Sequence, residues 1–267
     1  MDFKIHDAEW TDEKIARFWD FYNNYGPFEG RCFSKHAGEG IFNFCRRYID
    51  LKGNILDYGA GKGHLIESLL ELQSVCVYGF DFSPASAEAV NATHGKRDSF
   101  KGCRTMVSGV TGTNYTQFES GFFDIVFLVE VIEHLTDKYL GSTLEEIRRT
   151  LRDNGIVVIT TPNNEDLRQQ HVICPDCGSV FHRVQHVRSF DAERLESLLR
   201  YHKFNALFCG NTNFGHYNVL SPTNLLKQFR NALVRKQTHP HLIYIGAKSP
   251  VGPIGTHSQG MSQESVS

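Results

Sequence analysis

The sequence lacks any long apolar segment and any strong excess of one charge. Its 267 residues include 28 Lys and Arg against 30 Asp and Glu, which gives a formal net charge of −2. Because the positive and negative charges nearly cancel, the net charge gives no general argument for a nucleic acid or an anionic membrane as partner. No run approaches the ~20 apolar residues of a membrane span, and the opening stretch "MDFKIHDAEWTDEKIARFWD" is polar and acidic, unlike a secretory signal. We therefore expect a soluble, cytoplasmic protein with no transmembrane segment.

Cysteine is also sparse. There are seven, an odd number in a chain of this length, and only Cys174 and Cys177 form a pair by their spacing. Most of the others lie within apolar segments and are typical of small buried thiols. This usage argues against a disulfide framework and favours a reducing compartment.

From residue 54 onward, short apolar strands alternate with helical segments. The runs "FDIVFLVE" and "IVVITTP" are apolar throughout, as expected when both faces of a sheet are covered. Such alternation predicts an α/β fold with a doubly wound parallel sheet. The helix between these two runs, "STLEEIRRTLRDNG", is predicted to begin at Ser142 or Thr143 and to end at Asn154 and Gly155.

The remaining segments predict the organisation around this sheet. Residues 1–50 form an expected N-terminal helical cap, in which "GPFEGRCFSKHAG" is a loop between two helices. The main domain is expected over residues 51–248. It would carry a Cys- and His-containing insert over 163–190 and a helical insert over 210–240. The tail over 249–267 is rich in Gly, Ser, Pro and Gln and is predicted to be disordered.

The stretch "DYGAGKG" predicts a ligand-binding loop. Gly59, Gly61 and Gly63 follow a strand and open a helix, so the backbone can turn tightly and a ligand can approach the main chain. Asp81 ends the next strand, where its carboxylate can accept hydrogen bonds from two ribose hydroxyls. The arrangement therefore indicates a nucleoside-containing ligand.

This ligand is more consistent with S-adenosylmethionine than with a dinucleotide. The dinucleotide fingerprint requires a glycine at position 64, which is occupied by His64. Asp57 lies two residues before the first glycine, where a carboxylate would repel a pyrophosphate. The same carboxylate suits a cationic, amino-acid-like group.

Four motifs between Asn54 and Pro162 resemble class I S-adenosylmethionine-dependent methyltransferases of the ubiquinone type. They are "ILDYGAGKGHL", "VYGFDFSP", "FDIVFLVEVIEHL" and "LRDNGIVVITTPN", in the order of the family. The resemblance implies a seven-stranded Rossmann-like sheet with an antiparallel last strand. It also implies the residues that contact the cofactor: Asp57 near the methionine end, Gly59, Ala60, Gly61 and Gly63 in the loop, Asp81 at the ribose, Phe82 beside the adenine, and Glu130. The acid that often meets the adenine edge after the third strand is not evident, and Ser108 is the candidate there.

Glu130, Glu133 and His134 are spaced to share one face of a helical turn after the fourth strand. Glu130 and His134 are candidates for the catalytic base that removes the acceptor proton. In one interpretation all three bind a divalent ion, Mg²⁺ or Mn²⁺, because ubiquinone-pathway O-methyltransferases and methyltransferases of small-RNA 2′-hydroxyls look similar here. In the other, they form a structural turn that contacts the cofactor or caps the next helix. Both interpretations stay open.

The most distinctive stretch is "CPDCGSVFHRVQH". Cys174, Cys177, His182 and His186 have the spacing C-x2-C-x4-H-x3-H, a donor set that suits tetrahedral zinc. The gap between the Cys and His pairs is too short for the finger that reads DNA, which needs about 12 residues. We expect a structural Zn²⁺ that shapes a lid over the substrate. The alternatives are a metal-free loop, or a catalytic metal site that His182 or His186 completes.

Together these features predict an enzyme, an S-adenosylmethionine-dependent methyltransferase. The expected acceptor is a hydroxyl of a small molecule or a glycan. The second hypothesis is an RNA 2′-O-methyltransferase with a divalent metal at Glu130, Glu133 and His134, against which the slight negative charge speaks. The third is a non-catalytic protein that binds the cofactor as a scaffold. The choice between O- and N-methylation and the oligomeric state do not follow from the sequence.

Overall fold

Strands and helices alternate over most of the chain. The computed structural model describes residues 3–26, 33–106, 115–217 and 240–248. The helices of these residues are α1 (Asp12–Asn24), α2 (Phe33–Cys45), α3 (His64–Leu69), α4 (Pro84–His94), α5 (Asp137–Thr150) and α6 (Ala192–Tyr201). The strands are β1 (His6–Asp7), β2 (Gly53–Tyr58), β3 (Val75–Asp81), β4 (Phe100–Thr105), β5 (Phe123–Val129), β6 (Leu151–Pro162), β7 (His171–Ile173), β8 (Ser179–His182), β9 (Asn205–Thr212) and β10 (His241–Ala247).

Seven strands form the main sheet, in the order β4-β3-β2-β5-β6-β10-β9. The pairs from β4 to β6 are parallel, whereas β10 runs antiparallel to both β6 and β9. The predicted doubly wound α/β sheet with an antiparallel last strand is therefore confirmed. Because β10 lies between β6 and β9, the last strand is inside the sheet and not at its edge.

Both faces of this sheet are covered. One apolar cluster packs α2, α3 and α4 against one face, for example through Ile41 and Ile66 onto Ile55. The other packs α5 and α6 against the opposite face, for example through Leu144 and Leu195. Successive residues along β2 contribute to opposite clusters, since side chains alternate along a strand. The continuous apolar runs in the sequence arise from this two-sided burial.

A second, three-stranded sheet joins the N-terminus to the Cys- and His-containing insert. Its order is β1-β8-β7, with His6 beside Ser179 and Asp7 beside Val180 in a parallel pairing. The ring of Trp10 packs edge-on against Phe181 at 6.0 Å. The N-terminal segment through α1 therefore packs with the insert, whereas α2 packs into the main core. The expected single cap over residues 1–50 is divided between these two places.

Two element boundaries differ from the sequence predictions. α2 begins at Phe33, inside the segment predicted to be a loop. α5 runs from Asp137 to Thr150, so it begins before the predicted cap and ends before the predicted stop at Asn154. The chain leaves the helix at Leu151 because that residue is fully buried and pairs with Phe123 in the sheet. Tertiary pairing here overrides the local helix signals.

Several predictions fall partly or wholly outside the described residues. These are the tail over 249–267, most of the helical insert over 210–240, and Ser108. The first residues of that insert belong to β9, which extends to Thr212. Among the helices that the structure describes, none has the length and apolarity needed to cross a bilayer.

Candidate active site

A cavity of about 460 Å³ opens at the carboxyl ends of β2, β3 and β5, and α1 lies across it. Parallel sheets of this type bind ligands at this edge. Of the predicted site residues, Gly59, Gly61, Asp81, Phe82, Glu130 and His134 line the cavity. Sequence reasoning missed other wall residues, which include Trp19, Asn23, Tyr139 and Gln185. No motif marks these residues, because the fold brings α1 and the insert to the cavity from distant parts of the chain.

The glycine loop has the backbone that a bound nucleoside requires. Gly59, Gly61 and Gly63 have φ values of 90°, 52° and 78°, in the left-handed region that favours glycine. A Cβ at Gly59 would lie 2.5 Å from a methyl of Val131, so this position needs glycine on steric grounds as well. A Cβ at Gly61 would meet nothing within 4 Å, which leaves open space over the main chain on the cavity side. Ala60 is buried and, like Gly63, supports the loop without lining the cavity.

Asp81 ties this loop to the start of α4. Its Oδ2 accepts the N–H of Gly61 at 2.7 Å and its Oδ1 accepts the N–H of Ser83 at 2.8 Å. Burial raises the pKa of Asp81, and these two N–H groups oppose the rise. The carboxylate lines the cavity and has lone pairs beyond those that these two contacts use. Its predicted contact with a ribose stays a prediction.

Asp57 is a buried acid beneath the loop. It is 2% exposed and does not line the cavity. Burial, with a smaller contribution from the negative charge of Asp81, raises the pKa of Asp57 to about 8. An isolated protein therefore holds this carboxyl largely protonated at neutral pH. A cationic group nearby would favour its ionised form.

Glu130 follows β5 in a strained conformation. Its φ is 51°, which is uncommon for a residue with a side chain. Its Oε1 accepts the hydroxyl of Thr160 at 3.0 Å and lies 3.6 Å from Nδ1 of His241. The side chain thus lines the cavity while it is held by β6 and β10. It does not join Glu133 and His134 in a common ligand group, contrary to the predicted Glu130–Glu133–His134 metal set.

Glu133, His134 and His186 converge at one point beside the cavity. Glu133 is 1% exposed, and its Oε2 accepts the hydroxyl of Thr161 at 3.0 Å. Its Oε1 is buried without a hydrogen-bond partner and lies 3.9 Å from Nε2 of His134 and 4.0 Å from Nε2 of His186. These distances are too long for direct hydrogen bonds. The arrangement leaves room for a small cation among one oxygen and two nitrogen donors.

The protonation states in this cluster agree with that donor set. Burial, and then the neighbouring His186, lowers the pKa of His134 to about 3, so its imidazole is uncharged at neutral pH. Burial, and then the charge of Glu130, raises the pKa of Glu133. An unpaired buried carboxylate oxygen is costly unless a proton or an ion compensates for it. The cluster can therefore act as a proton acceptor or as a metal site.

The predicted zinc ligands are not brought together. His182 pairs with His171 in the β7–β8 hairpin, whereas Cys174 follows the other end of β7. That offset of three residues is roughly 10 Å at ~3.4 Å per residue. Among the described residues, His182 and His186 share a ligand group with Glu165 and neither cysteine belongs to one. The structure thus places the two cysteines and the two histidines of the C-x2-C-x4-H-x3-H pattern at separate points of the insert, and a zinc ion shared by all four stays a prediction.

The cysteines occupy a tight turn at the end of this hairpin. The N–H of Gly178 donates to the carbonyl of Cys174 at 2.9 Å. Backbone N–H groups of Cys177 and Asp176 lower the pKa of the Cys174 thiol. Cys177 is exposed and Cys174 is half-buried. The turn supplies two sulfur donors, which is half of a tetrahedral zinc site.

A doubly wound sheet with a glycine loop and an acid at the end of the next strand is typical of Rossmann-like domains that bind nucleoside cofactors. The family model described as "Methyltransferase domain" matches residues 37–232. The chain therefore belongs to the methyltransferase domain family. β1 and α1 precede the matched residues, although α1 forms one wall of the cavity.

Curated relatives match part of this chain. N-terminal Xaa-Pro-Lys N-methyltransferase 1 of Mus musculus is 32% identical over 127 residues, which cover 46% of this chain and 52% of the relative. The protein of the same name from Bos taurus is 36% identical over 69 residues, 23% of this chain and 29% of the relative. The chain thus spans about half the length of the mouse relative, or less for the bovine one.

Solved structures share the fold at low identity. A methyltransferase in complex with the Haloferax volcanii Trm112 methyltransferase activator has a TM-score of 0.62 at 17% identity, covering 87% of this chain and 98% of that one. The Burkholderia thailandensis 1,6-didemethyltoxoflavin-N1-methyltransferase, solved with its substrate and S-adenosylhomocysteine, has a TM-score of 0.58 at 18% identity, covering 92% and 94%. At these identities, both similarities support the fold of the chain alone.

Proposed function

We propose that this chain transfers a methyl group from S-adenosylmethionine to a hydroxyl of a small molecule or glycan. The observation that carries the proposal is the Glu133–His134–His186 cluster beside the cofactor cavity. A hydroxyl must lose its proton as the new bond forms, whereas a neutral amine already offers a lone pair. The uncharged imidazole of His134 and the buried carboxyl group of Glu133, with His186 beside them, suit that task either directly or by holding an ion.

S-adenosylmethionine supplies a methyl group that is already activated as a sulfonium. The residues of this chain would bind and orient it. Asp81 would accept hydrogen bonds from the ribose and Phe82 would flank the adenine, and both residues line the cavity. The loop at Gly61 leaves the main chain accessible. Precise placement of acceptor and donor is the principal contribution that such a site makes to the rate.

The cluster also fits a divalent ion, and Glu133, His134 and His186 would hold it. The supporting observation is the buried Oε1 of Glu133, which has no partner and faces two imidazole nitrogens. Two imidazole nitrogens and one carboxylate oxygen suit a first-row transition metal better than Mg²⁺, which prefers oxygen ligands. Such an ion lowers the pKa of a hydroxyl that binds to it.

The charge of the cavity wall supports an uncharged acceptor. Its described lining includes the carboxylates of Asp12, Asp20, Asp81 and Glu130, and no Lys or Arg is among them. Such a wall attracts the cationic cofactor and repels phosphate groups. An RNA 2′-hydroxyl is therefore less consistent with the cavity than a small neutral hydroxyl.

The second candidate acceptor is a terminal amine. The curated relatives named as N-terminal Xaa-Pro-Lys N-methyltransferases favour it, and an acidic cavity would also accept a cationic peptide N-terminus. A cationic N-terminus must lose its ammonium proton before its nitrogen can attack, but the resulting neutral amine needs no base during methyl transfer itself. A hydroxyl needs the base during transfer, so the two acceptor classes differ in the step at which the proton is lost.

Metal analysis and methyl transfer by matched variants test the proposal. We expect purified protein to contain a divalent ion that Glu133→Ala loses and Cys174→Ser retains. Radiolabelled methyl transfer would be measured with hydroxyl acceptors and with an Xaa-Pro-Lys peptide. Transfer to the peptide alone would replace the hydroxyl proposal. S-adenosylhomocysteine binding without transfer to either class would favour the scaffold hypothesis.

A further inference from the structure

Glu165, a carboxylate outside the cavity, lies between His182 and His186 of the insert. Its Oε2 lies 2.5 Å from Nδ1 of His186, and its Oε1 lies 3.4 Å from Nε2 of His182. The shorter distance is that of a direct, charge-assisted hydrogen bond and leaves no room for an ion between the two atoms. Glu165 therefore contacts Nδ1 of His186, whereas Glu133 lies nearest to the other ring nitrogen, Nε2.

The hydrogen positions on His182 follow from its backbone contacts. Its Nδ1 faces the N–H of His186 at 3.2 Å and the N–H of Val184 at 3.4 Å. Nδ1 must therefore accept, and a neutral ring carries its hydrogen on Nε2. Nε2 lies 3.4 Å from Oε1 of Glu165 but makes no hydrogen bond, so the contact between His182 and the carboxylate is electrostatic.

The other oxygen determines the tautomer of His186. A carboxylate accepts and does not donate, so Nδ1 of His186 carries the hydrogen in this contact. The neutral ring then has its lone pair on Nε2, which lies 4.0 Å from the unpartnered Oε1 of Glu133. The His182 and His186 rings stack with centroids 4.5 Å apart and an angle of 13°, which keeps the plane of the ring fixed.

We propose that Glu165 is a positioning residue, which fixes His186 in the tautomer that directs the Nε2 lone pair at Glu133. The use of that lone pair for an ion or a proton rests on the proposed function, whereas the tautomer does not. Carboxylates that orient histidine ligands in this way typically contribute 10–100-fold to metal affinity. Without Glu165, Nε2 of His186 would carry the hydrogen in part of the molecules and could not ligate.

The tautomer is tested directly on metal-free protein labelled with ¹⁵N. Spectra that correlate imidazole nitrogens with ring protons distinguish protonated from unprotonated nitrogens. We expect Nε2 of His186 to be unprotonated in the wild type and partly protonated in Glu165→Ala. Glu165→Gln keeps an acceptor oxygen and should retain the wild-type tautomer. An unchanged spectrum of His186 in Glu165→Ala would overturn the proposal.

Metal affinity gives a second readout, with Mn²⁺ as the probe in a chelator competition. We expect Glu165→Ala to bind Mn²⁺ 10–100-fold more weakly than the wild type. The exposed Glu119→Ala, which makes the same chemical change at a distant site, should bind as the wild type does. Equal affinity in Glu165→Ala and the wild type would overturn the positioning role. If the wild type bound no Mn²⁺, the metal part of the proposed function would fail and the nitrogen spectra would still decide the role of Glu165.

Discussion

Cofactor binding should depend on pH through Asp57. The pKa of this carboxyl is raised to about 8 by burial and by the nearby charge of Asp81. The ligand amine at the methionine end should pair with the ionised form. Binding below pH 8 must then release the proton from Asp57, so affinity should rise with pH and level off above about 8.

The size of the change in affinity follows from the difference between the pKa of Asp57 and the pH of the measurement. Each unit below the pKa costs up to a factor of 10, or about 1.36 kcal/mol. Because the carboxyl is already half protonated at pH 8, the dissociation constant of S-adenosylhomocysteine should increase by up to about 50-fold between pH 8 and pH 6, or roughly 2.3 kcal/mol. Asp57→Asn has the same shape and no proton to lose. Its affinity should be weaker at pH 8 and nearly constant over this range.

Isothermal titration calorimetry in two buffers with different ionisation enthalpies measures both quantities. The difference in apparent enthalpy gives the number of protons released, which should approach one near pH 6.5 in the wild type and zero in Asp57→Asn. A wild-type affinity that is constant between pH 6 and pH 8, with no proton release, would refute the assignment of Asp57 to the amino end of the ligand.

Three further substitutions test parts of the site and the cap. Asp81→Asn removes the charge that accepts two backbone N–H bonds and should weaken S-adenosylhomocysteine binding at least about tenfold by calorimetry, given ~1.5–3 kcal/mol per charged hydrogen bond; equal affinity would exclude the ribose role. Gly178→Ala should lower the unfolding free energy by about 1–3 kcal/mol in a denaturant titration, since φ is +76° and the new Cβ would lie 2.4 Å from a carbonyl oxygen of the N-terminal segment. Gly26→Ala is the control: a Cβ at Gly26 would have nothing within 4 Å, so the unfolding free energy should stay unchanged. Gln185→Asn shortens the side chain that accepts the indole N–H of Trp19 at 2.9 Å, and faster amide exchange in α1 is expected; unchanged exchange would contradict this link.

The sheet and the cofactor loop were predictable because their causes are local. A strand buried on both faces shows as a continuous apolar run, and a backbone with positive φ shows as glycine. The start of α2 was not predictable in this way. Its glycines lower helix propensity, but Gly38 lets the helix approach α3, where a Cβ would lie 3.2 Å from the hydroxyl of Ser68. Packing between helices compensates for a weak local signal.

The cluster around Glu133, His186 and Glu165 could not be predicted because these residues are distant in sequence. The spacing of the insert favoured cysteines and histidines as one zinc site, since neighbours in sequence are the first candidates for neighbours in space. The hairpin register separates them, and His186 instead reaches Glu133. Glu165 belongs to no motif, and only its contacts with two imidazoles reveal it.

The pairing of β1 with β8 has a consequence for how the molecule forms. Trp19 and Gln185, which connect α1 to the insert, are 166 positions apart, and β1 spans a similar interval to Ser179. Closing so long a loop costs entropy that is regained only when the partner surface exists. During synthesis, α1 would therefore have no docking surface until the insert had left the ribosome. The cavity would acquire its last wall only after β2 to β6, the parallel strands of the main sheet, had been synthesised.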